Sequence, residues 1–283
     1  MNIFSERYKQ LGEPAKTVET KQAIRVNTLK TTKEELIKRL EARHIEVEEI
    51  PFTKNGLFVL KSPFAIVSTP EYLVGLFYIQ EAASQLPVGV LNPKKLCLDA
   101  CAAPGSKTTQ IAEQCPVIAV DTREDRLVAL QNNVERLGIT NCSAYNLDFR
   151  GVKEKFDYIL LDAPCSGNFV LEGKMWFRKQ SMKRVLERAE LQQSLISHAI
   201  GLLNENGTLV YSTCSLEPEE NEMIIQYALD NHKIKLEKVD TIGDEGLTDV
   251  FGKKLNKEIK KCRRLWPWKT NTQGFFIAKI RKC

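Results

Sequence analysis

The chain has 283 residues, of which 43% are hydrophobic and 27% charged, and its formal net charge is +5. This composition allows a sizeable packed core, and we do not expect a disordered chain. No apolar run approaches the roughly 20 residues that a membrane span needs, and the N-terminal residues lack the apolar stretch of a signal peptide. We therefore expect a soluble, cytoplasmic protein with no membrane partner, and nothing in the pattern demands a state other than a monomer.

The N-terminal part of the chain predicts a small α+β lobe. Its elements are a strand at 22–30, a helix at 33–43 capped by Thr31 or Thr32, a strand at 45–50, and a strand at 57–60 after an Asn55–Gly56 turn. We place this lobe at residues 1–90 and assign RNA binding to it.

From about residue 95 onward, apolar strands alternate with helices. The strands are LCLDA (96–100), PVIAVD (116–121), FDYILLDAPC (156–165) and GTLVYSTC (207–214), and the helices are 107–114, 123–137 and 181–203. Continuous apolar strands alternating with helices predict an α/β fold with a parallel sheet covered on both faces. We assign 91–283 to this Rossmann-like domain, in which the last strand, GFFIAKI (274–280), could close the sheet.

Polar side chains follow these strands where each one ends. They are Asp99, Asp121, Asp162, Cys165 and Cys214. In an open α/β sheet, ligands bind at the carboxyl ends of the strands, where the loops gather. The pattern therefore predicts a functional site at this edge.

The loop after the first of these strands, DACAAPGSKTTQIAE (99–113), leads into a helix near Lys107. Gly105 permits close approach of a ligand to the backbone, and the helix start offers free N–H groups. Neither the GxxxxGK[ST] phosphate loop nor the GxGxxG dinucleotide pattern is present. A nucleotide-like ligand without a phosphate-gripping loop fits better, and the alternative is an ordinary connecting loop.

Two carboxylates downstream suit the same ligand. Asp121 ends its strand where an acid accepts the hydroxyls of a ribose in dinucleotide-binding folds. Asp148 follows the next short strand, where it could meet an adenine amino group. Either carboxylate could instead cap a helix or a turn.

The two cysteines close different strands, in DAPCSG (162–167) and STCS (212–215). Two thiols and a carboxylate beside a nucleoside-binding loop suggest covalent catalysis on cytosine. A thiolate that adds to ring carbon 6 makes carbon 5 nucleophilic, and Asp162 could supply the proton or hydrogen bond that ring nitrogen 3 needs. The thiolate needs nearby positive charge, for which Lys107 is the candidate. Each cysteine could instead be a buried core residue, and the pair could form a disulfide.

Other residues bear on partners. No CxxC pair is present and His44, His198 and His232 lie far apart, so we expect no metal site. Eight basic residues and one acid lie between Lys253 and Lys269, and five basic residues and no acid lie at 174–184. Aromatic residues accompany both stretches, namely Trp176, Phe177, Trp266 and Trp268. Such stretches suit nucleic acid, with bases stacked on the aromatic rings, although solvated faces are the alternative.

Motifs along nearly the whole chain resemble those of the RNA cytosine-5 methyltransferases, the Sun or Fmu family. They are RVNTLK (25–30), YIQEAAS (78–84), DACAAPGSKT (99–108), LDAPCSG (161–167), STCS followed by LEPEENE (212–222), and RLWP with GFF (264–267, 274–276). The resemblance implies S-adenosylmethionine as cofactor and RNA as substrate. One departure is Gly105-Ser106-Lys107-Thr108, where the family usually has GGKT; we expect the serine to be tolerated.

Roles follow from this resemblance position by position. Cys214 of the TCS motif attacks, Cys165 of the PC motif serves product release, Asp162 contacts the target cytosine, and Lys107 supports the site. The cofactor pocket maps to Ala102, Ala103, Pro104, Gly105, Ser106, Lys107, Asp121, Arg126, Asp148 and Asp162. DNA cytosine-5 methyltransferases instead use the PC cysteine as nucleophile, which would make Cys165 the attacking residue.

The short N-terminal lobe is similar to that of the compact archaeal tRNA enzymes, so tRNA is the preferred substrate and ribosomal RNA the second. The target base must leave any helical stack to reach Cys214. Two further hypotheses stay open: an RNA-binding assembly factor that keeps the fold without turnover, and a DNA or protein methyltransferase.

Overall fold

The computed structural model describes residues 2–16, 18–167, 169–172 and 174–283. The strands, β1 to β15 in chain order, are Gln22–Val26, Glu46–Glu49, Gly56–Lys61, Phe77–Ile79, Cys97–Asp99, Val117–Asp121, Cys142–Asn146, Phe156–Asp162, Leu203–Thr213, Ile234–Glu237, Asp244–Glu245, Asp249–Val250, Lys253–Lys254, Arg263–Leu265 and Phe275–Lys282. The helices, α1 to α11, are Ile3–Gln10, Lys33–Glu41, Pro70–Leu73, Leu86–Leu91, Ser106–Ala112, Glu124–Leu137, Phe169–Glu172, Lys174–Lys179, Met182–Leu202, Glu222–Asn231 and Pro267–Thr270.

The chain divides into two compact units. One is continuous and spans Lys21–Leu160, and the other combines Met1–Thr20 with Leu161–Cys283. We call them the cofactor-loop unit and the thiol unit, after the predicted site residues that each contains. Across the described ranges, no helix is long and apolar enough to cross a membrane.

The cofactor-loop unit begins with an antiparallel sheet in the order β2-β3-β1-β4. Helix α2 packs its apolar side on this sheet, and its start is capped by Thr32, whose hydroxyl accepts a hydrogen bond from the Glu35 backbone N–H at 3.2 Å. Buried aliphatic and aromatic side chains join helix and sheet, among them Ile24, Leu36 and Phe77. Burial of each such side chain stabilises the folded state by about 1.5–3 kcal/mol. Because these side chains belong to one cluster, the predicted α+β elements share one core.

The rest of this unit has parallel strands in the order β8-β5-β6-β7. Leu98 of β5 pairs with Ile118 of β6 on one side and with Ile159 of β8 on the other. Helices α5 and α6 follow β5 and β6, and Leu130 of α6 packs with Ala102 and Ala119. The α/β class with a parallel sheet is confirmed.

The thiol unit is built on antiparallel strands. Strand β15 pairs with β9 on one edge, where Phe276 lies opposite Thr213, and with β14 and β10 on the other. The prediction that this strand closes the sheet, as its last strand, is therefore wrong, because two short strands from earlier in the chain, β10 and β14, pair with its second edge. Its core contains Phe4 and Tyr8 of α1 and the rings of Trp176 and Trp266.

Candidate active site

The predicted cofactor loop is shaped by main-chain hydrogen bonds. The Ala102 N–H donates to the Val120 carbonyl at 3.1 Å, and the Gly105 N–H donates back to the Ala102 carbonyl at 2.8 Å. Gly105 has φ +102°, and a side chain there would come within 3.1 Å of the Leu130 side chain. This backbone conformation and the adjacent helix α6 explain why glycine stands at the turn into α5.

Asp121 lies at the end of β6 beside this loop. One carboxylate oxygen accepts the Ala103 N–H at 3.0 Å and the other accepts the Arg123 N–H at 3.0 Å. The residue is 9% exposed, and each oxygen accepts only one hydrogen bond from the protein, which leaves acceptor capacity for a ligand. Arg126 donates to the Ala103 carbonyl and so supports the loop rather than the carboxylate. A fixed, partly accessible carboxylate beside a glycine turn fits the ribose hydroxyls of an adenosyl group.

Two other predicted residues of this unit have protein partners. Lys107 is 6% exposed and donates from Nζ to Ser84 Oγ at 2.9 Å. Asp148 accepts from the Arg150 backbone N–H at 2.9 Å and pairs with the Arg150 guanidinium. Asp148 thus has the turn-capping role that was the alternative at this position, and its contact with adenine stays a prediction. The roles of Lys107 at the thiols and of the 102–107 loop in binding also stay predictions.

The thiol unit brings the two predicted catalytic cysteines into contact. Cys165 Sγ lies 3.3 Å from Cys214 Sγ, and both residues are half-buried. The loop after β8 and the end of β9 are tied by a hydrogen bond from the Ala163 N–H to the Ser212 carbonyl at 2.8 Å. Asp162 accepts from Ser212 Oγ at 2.7 Å. The two cysteines are 49 positions apart in sequence, and they meet because β8 and β9 are neighbours in the sheet.

The surroundings of Cys165 disfavour its thiolate form. The hydrogen bond to Cys214, followed by burial and the charge of Glu220, raises the pKa of the Cys165 thiol well above its ordinary value. Cys165 is therefore held in the protonated form. None of the eight cysteines, all of which lie in the described ranges, forms a disulfide. Among the described residues, no group of three His, Cys, Asp or Glu side chains is arranged to hold a metal ion.

Sequence reasoning missed a carboxylate behind the thiols. Glu220 lies in a 3-10 turn at Pro218–Glu220, is 0% exposed, and accepts hydrogen bonds from Ser166 and Ser215. Each serine directly follows one of the cysteines. Glu220 is within the quoted LEPEENE segment, but nothing in its spacing indicated that it would be buried.

The aromatic residues of the basic stretches lie elsewhere than predicted. Trp176 and Trp266 are each 1% exposed and pack in the thiol-unit core, so they cannot stack on bases. Trp268 is half-buried, stacks on Trp266 with ring centroids 5.4 Å apart, and donates to Glu13. These indoles are core residues because their large apolar surfaces are covered by α1. The side chain of Phe177 lies outside the described residues.

The basic stretch at 253–269 is only partly available. Arg264 is fully buried and pairs with Glu222, while Lys254, Lys261 and Lys269 pair with carboxylates. Lys253, Lys257 and Lys260 are exposed, and within the part of the chain that the structure describes they form no ion pair. These three lysines are the members of the stretch that suit an RNA backbone.

Two family profiles match the chain. The family described as 16S rRNA methyltransferase RsmB/F matches residues 88–281, and the N-terminal domain of 16S rRNA methyltransferase RsmF matches residues 2–82. The chain belongs to the RsmB/F family. Members of this family are S-adenosylmethionine-dependent RNA methyltransferases, as the motifs predicted.

Individual relatives have different substrates in their names. The tRNA (cytosine(49)-C(5))-methyltransferase of Pyrococcus abyssi is 39% identical over 274 residues, which are 92% of this chain and 88% of that protein. The 28S rRNA (cytosine-C(5))-methyltransferase of Mus musculus is 37% identical over 92% of this chain, but the chain spans only 35% of that protein. A solved methyltransferase homologue from Pyrococcus horikoshii superposes with a TM-score of 0.87 at 38% identity, covering 99% of this chain and 95% of that one.

Proposed function

We propose that this protein methylates carbon 5 of cytosine in RNA, with tRNA as the preferred substrate and Cys214 as the nucleophile. The observation that carries this proposal is the 3.3 Å contact between the Cys214 and Cys165 sulfur atoms. Two thiols in contact at the ends of neighbouring strand segments suit a reaction that needs one sulfur to attack and another group to assist release. The bound cofactor would supply an electrophilic methyl group on a sulfonium sulfur.

The first step assigned to this chain is addition of Cys214 to ring carbon 6. A sulfur–carbon bond forms, and the electron pair of the 5,6 double bond shifts toward the ring carbonyl and nitrogen 3. Asp162, oriented by Ser212 at 2.7 Å, is proposed to share a proton with nitrogen 3, either by donating it from a protonated carboxyl or by accepting a hydrogen bond from nitrogen 3 once that atom is protonated. Carbon 5 thereby gains the electron density that it needs to accept the methyl group.

Release is assigned to Cys165. After methylation, a base must take the proton from carbon 5, so that the double bond re-forms and the Cys214 sulfur leaves as thiolate. The hydrogen bond to Cys214 is the largest cause that raises the pKa of Cys165. That hydrogen bond is lost once the Cys214 sulfur is bonded to the base, so Cys165 becomes easier to ionise at the stage when a base is required. The choice of Cys214 as the nucleophile rests on the resemblance of its TCS motif to that of the RNA cytosine-5 methyltransferases.

The remaining assignments belong to the same proposal. Asp121 and the Ala102–Lys107 loop hold the cofactor with Arg126, Asp148 and Asp162, and Lys107 favours the thiolate. We place the RNA-binding lobe at 1–90 and the catalytic domain at 91–283, a division supported by the ranges of the two family profiles. We also propose a monomer that acts in the cytoplasm.

The test uses purified protein, S-adenosylmethionine with a tritiated methyl group, and unmodified tRNA or ribosomal RNA transcripts, followed by nucleoside analysis. Label in 5-methylcytidine of tRNA is the expected result. Label only in ribosomal RNA would keep the chemistry and overturn the preferred substrate. Label only in DNA or protein would overturn the substrate class.

An RNA-binding assembly factor is the second candidate, favoured only by the exposed lysines of the 253–269 stretch. If the protein is such a factor, Cys214→Ala should leave its RNA binding and its assembly activity unchanged. Loss of methyl transfer in Cys214→Ala, with RNA affinity retained, would reject it.

A further inference from the structure

Glu220 connects the two loops that contain the thiols. Its Oε1 accepts the Ser166 backbone N–H at 2.8 Å, and its Oε2 accepts the hydroxyls of Ser166 at 2.6 Å and Ser215 at 2.5 Å. The Ser166 N–H belongs to the peptide bond that follows Cys165. One carboxylate therefore holds the residue after each cysteine.

A second residue reinforces this connection. Gln192 of α9 donates from Nε2 to Glu220 Oε1 at 3.2 Å and to the Pro164 carbonyl at 2.9 Å. Pro164 precedes Cys165, so the cysteine is held on both sides along the backbone. The hydroxyls of Ser166 and Ser215 are themselves 3.3 Å apart, the same separation as the sulfur atoms.

We infer that Glu220 is a positioning residue that holds the Cys165 and Cys214 sulfur atoms in contact. The inference rests on the proposed function only for its catalytic consequence, since the contact itself is structural. Glu220 touches neither substrate nor cofactor in this scheme, because its oxygens are used by Ser166, Ser215 and Gln192 and the residue is 0% exposed.

Burying the Glu220 carboxylate costs free energy, which indicates that this residue does more than stabilise its loop. Burial raises the pKa of the Glu220 carboxyl, although the hydrogen bonds from Ser166, Ser215 and Gln192 oppose that shift. Buried carboxylates are expensive unless several donors compensate them. The donors here converge from both thiol loops and from α9, so the acid sits where it sets the spacing between two reactive groups.

The direct test measures thiol contact without RNA or cofactor. The oxidant diamide takes two electrons and two protons from a pair of adjacent thiols, which become a disulfide while diamide becomes the hydrazine. We expect Glu220→Ala to slow formation of the Cys165–Cys214 disulfide by on the order of tenfold or more, because the loops lose their shared acceptor. Peptide mass spectrometry distinguishes this disulfide from those of other cysteines.

A conservative variant and a matched control separate position from charge and from general stability. Glu220→Gln can keep the contacts, since its carbonyl accepts the Ser166 N–H and its amide donates to the hydroxyls, so its rate should stay within about threefold of the wild type. Glu217→Ala removes a buried carboxylate from the same loop whose side chain bonds instead to Tyr8 and Arg7. This control should keep the wild-type rate of disulfide formation in the folded protein.

The catalytic consequence is tested by the covalent protein–RNA adduct on denaturing gels. In Glu220→Ala, product release should slow by on the order of 100-fold, because sub-ångström placement of the assisting group is lost, and adduct should accumulate. Glu220→Gln and Glu217→Ala should show no such accumulation.

The disulfide rates test the positioning role of Glu220, and the RNA adduct tests the proposed chemistry. Equal disulfide rates in Glu220→Ala and the wild type, or a Glu220→Gln rate as slow as that of Glu220→Ala, would overturn the positioning role. Slow disulfide formation in Glu220→Ala, without any RNA adduct even in Cys165→Ala, would uphold the positioning role and overturn the proposed chemistry. If Cys165→Ala traps the RNA adduct but Glu220→Ala forms the disulfide at the wild-type rate, the proposed chemistry stands and the positioning role of Glu220 is overturned.

Discussion

Two carboxylates organise the two candidate regions in different ways. Asp121, at the cofactor loop, accepts one backbone N–H on each oxygen and keeps 9% of its surface exposed. Glu220, at the thiol loops, accepts from Ser166, Ser215 and Gln192 and is 0% exposed. Asp121 thus retains acceptor capacity for a ligand, whereas Glu220 uses its capacity within the protein.

This difference is why we propose a binding role for Asp121 and a positioning role for Glu220. Main-chain hydrogen bonds and Gly105 shape the loop at Asp121, and each Asp121 oxygen accepts only one backbone N–H, which leaves acceptor capacity for a ligand. At the thiol loops a side chain provides the connection, because the Glu220 carboxylate accepts hydrogen bonds from both Ser166 and Ser215. Substitutions at the thiol loops should therefore leave cofactor binding intact, and substitutions at Asp121 should leave disulfide formation between the thiols intact.

The largest expected effect comes from exchanging the two cysteines for alanine. Cys214→Ala should lose methyl transfer by about 10⁴-fold or more, as for removal of other covalent nucleophiles, and should form no RNA adduct. Cys165→Ala should also lose turnover but should trap the adduct, which denaturing gels with labelled RNA would reveal.

The cofactor loop supplies the control for those variants. Both should bind S-adenosylhomocysteine as the wild type does in calorimetry, because the loop does not depend on the thiols. An adduct that persists in Cys214→Ala would reverse the assignment of the two sulfur atoms.

The next effect concerns the binding carboxylate. Asp121→Asn should weaken S-adenosylhomocysteine binding roughly 10- to 100-fold, the range expected for loss of a charge-assisted hydrogen bond. Asp125→Asn is the matched control, because Asp125 is exposed and pairs with Arg123. The diamide rate of the thiols should be unchanged in both variants, and equal weakening in both would exclude Asp121 from the pocket.

A smaller effect is expected at the exposed lysines. Replacing Lys253, Lys257 and Lys260 together with alanine should reduce the salt dependence of RNA binding by about two in the log–log slope. Filter binding across a salt series would measure it. An unchanged slope would show that these lysines do not contact RNA and would support the alternative that the stretch is a solvated face.

The smallest effect is a pH dependence of stability that involves Glu217. Burial raises its pKa to about 7 from 4.5, against the opposing hydrogen bond from Tyr8. Between about pH 4.5 and pH 7, the folded state therefore keeps a proton that the unfolded state releases. The free energy of unfolding should fall as pH rises through this window, by at most about 1.4 kcal/mol per pH unit.

Glu217→Gln should remove this part of the slope while keeping an acceptor for Tyr8. Urea unfolding of both proteins at pH 5 and pH 7.5 provides the measurement. A wild-type free energy of unfolding that rises across the window relative to the variant would contradict the shift.

Sequence patterns predicted most of the regular structure of the α/β part. The apolar runs at 96–100, 116–121 and 156–165 became β5, β6 and β8, and the cap at Thr32 started α2. These predictions succeed because apolar periodicity and capping are local signals. The contact of Cys165 with Cys214 was also accessible, since both follow strands whose carboxyl ends meet at one sheet edge.

Long-range packing decided what the sequence could not show. Helix α1 was missed, because its tie to the rest of the unit depends on Tyr8 and Arg7 meeting Glu217, some 210 positions away. Trp176 and Trp266 were misread for the same reason, since a local basic stretch does not reveal that α1 covers their rings. The buried Glu220 looked like any other acid in an acidic segment.

The thiol unit is assembled from two separated segments, 1–20 and 161–283, whereas residues 21–160 are contiguous. On the ribosome, the contiguous segment can fold once it emerges, but α1 must wait for Glu217 and Trp266 to be synthesised. Strand β15, which pairs with β9, β10 and β14, emerges last. We therefore expect the nascent chain to complete its cofactor loop well before Cys165 and Cys214 acquire their native surroundings, because those surroundings need segments as late in the chain as β15.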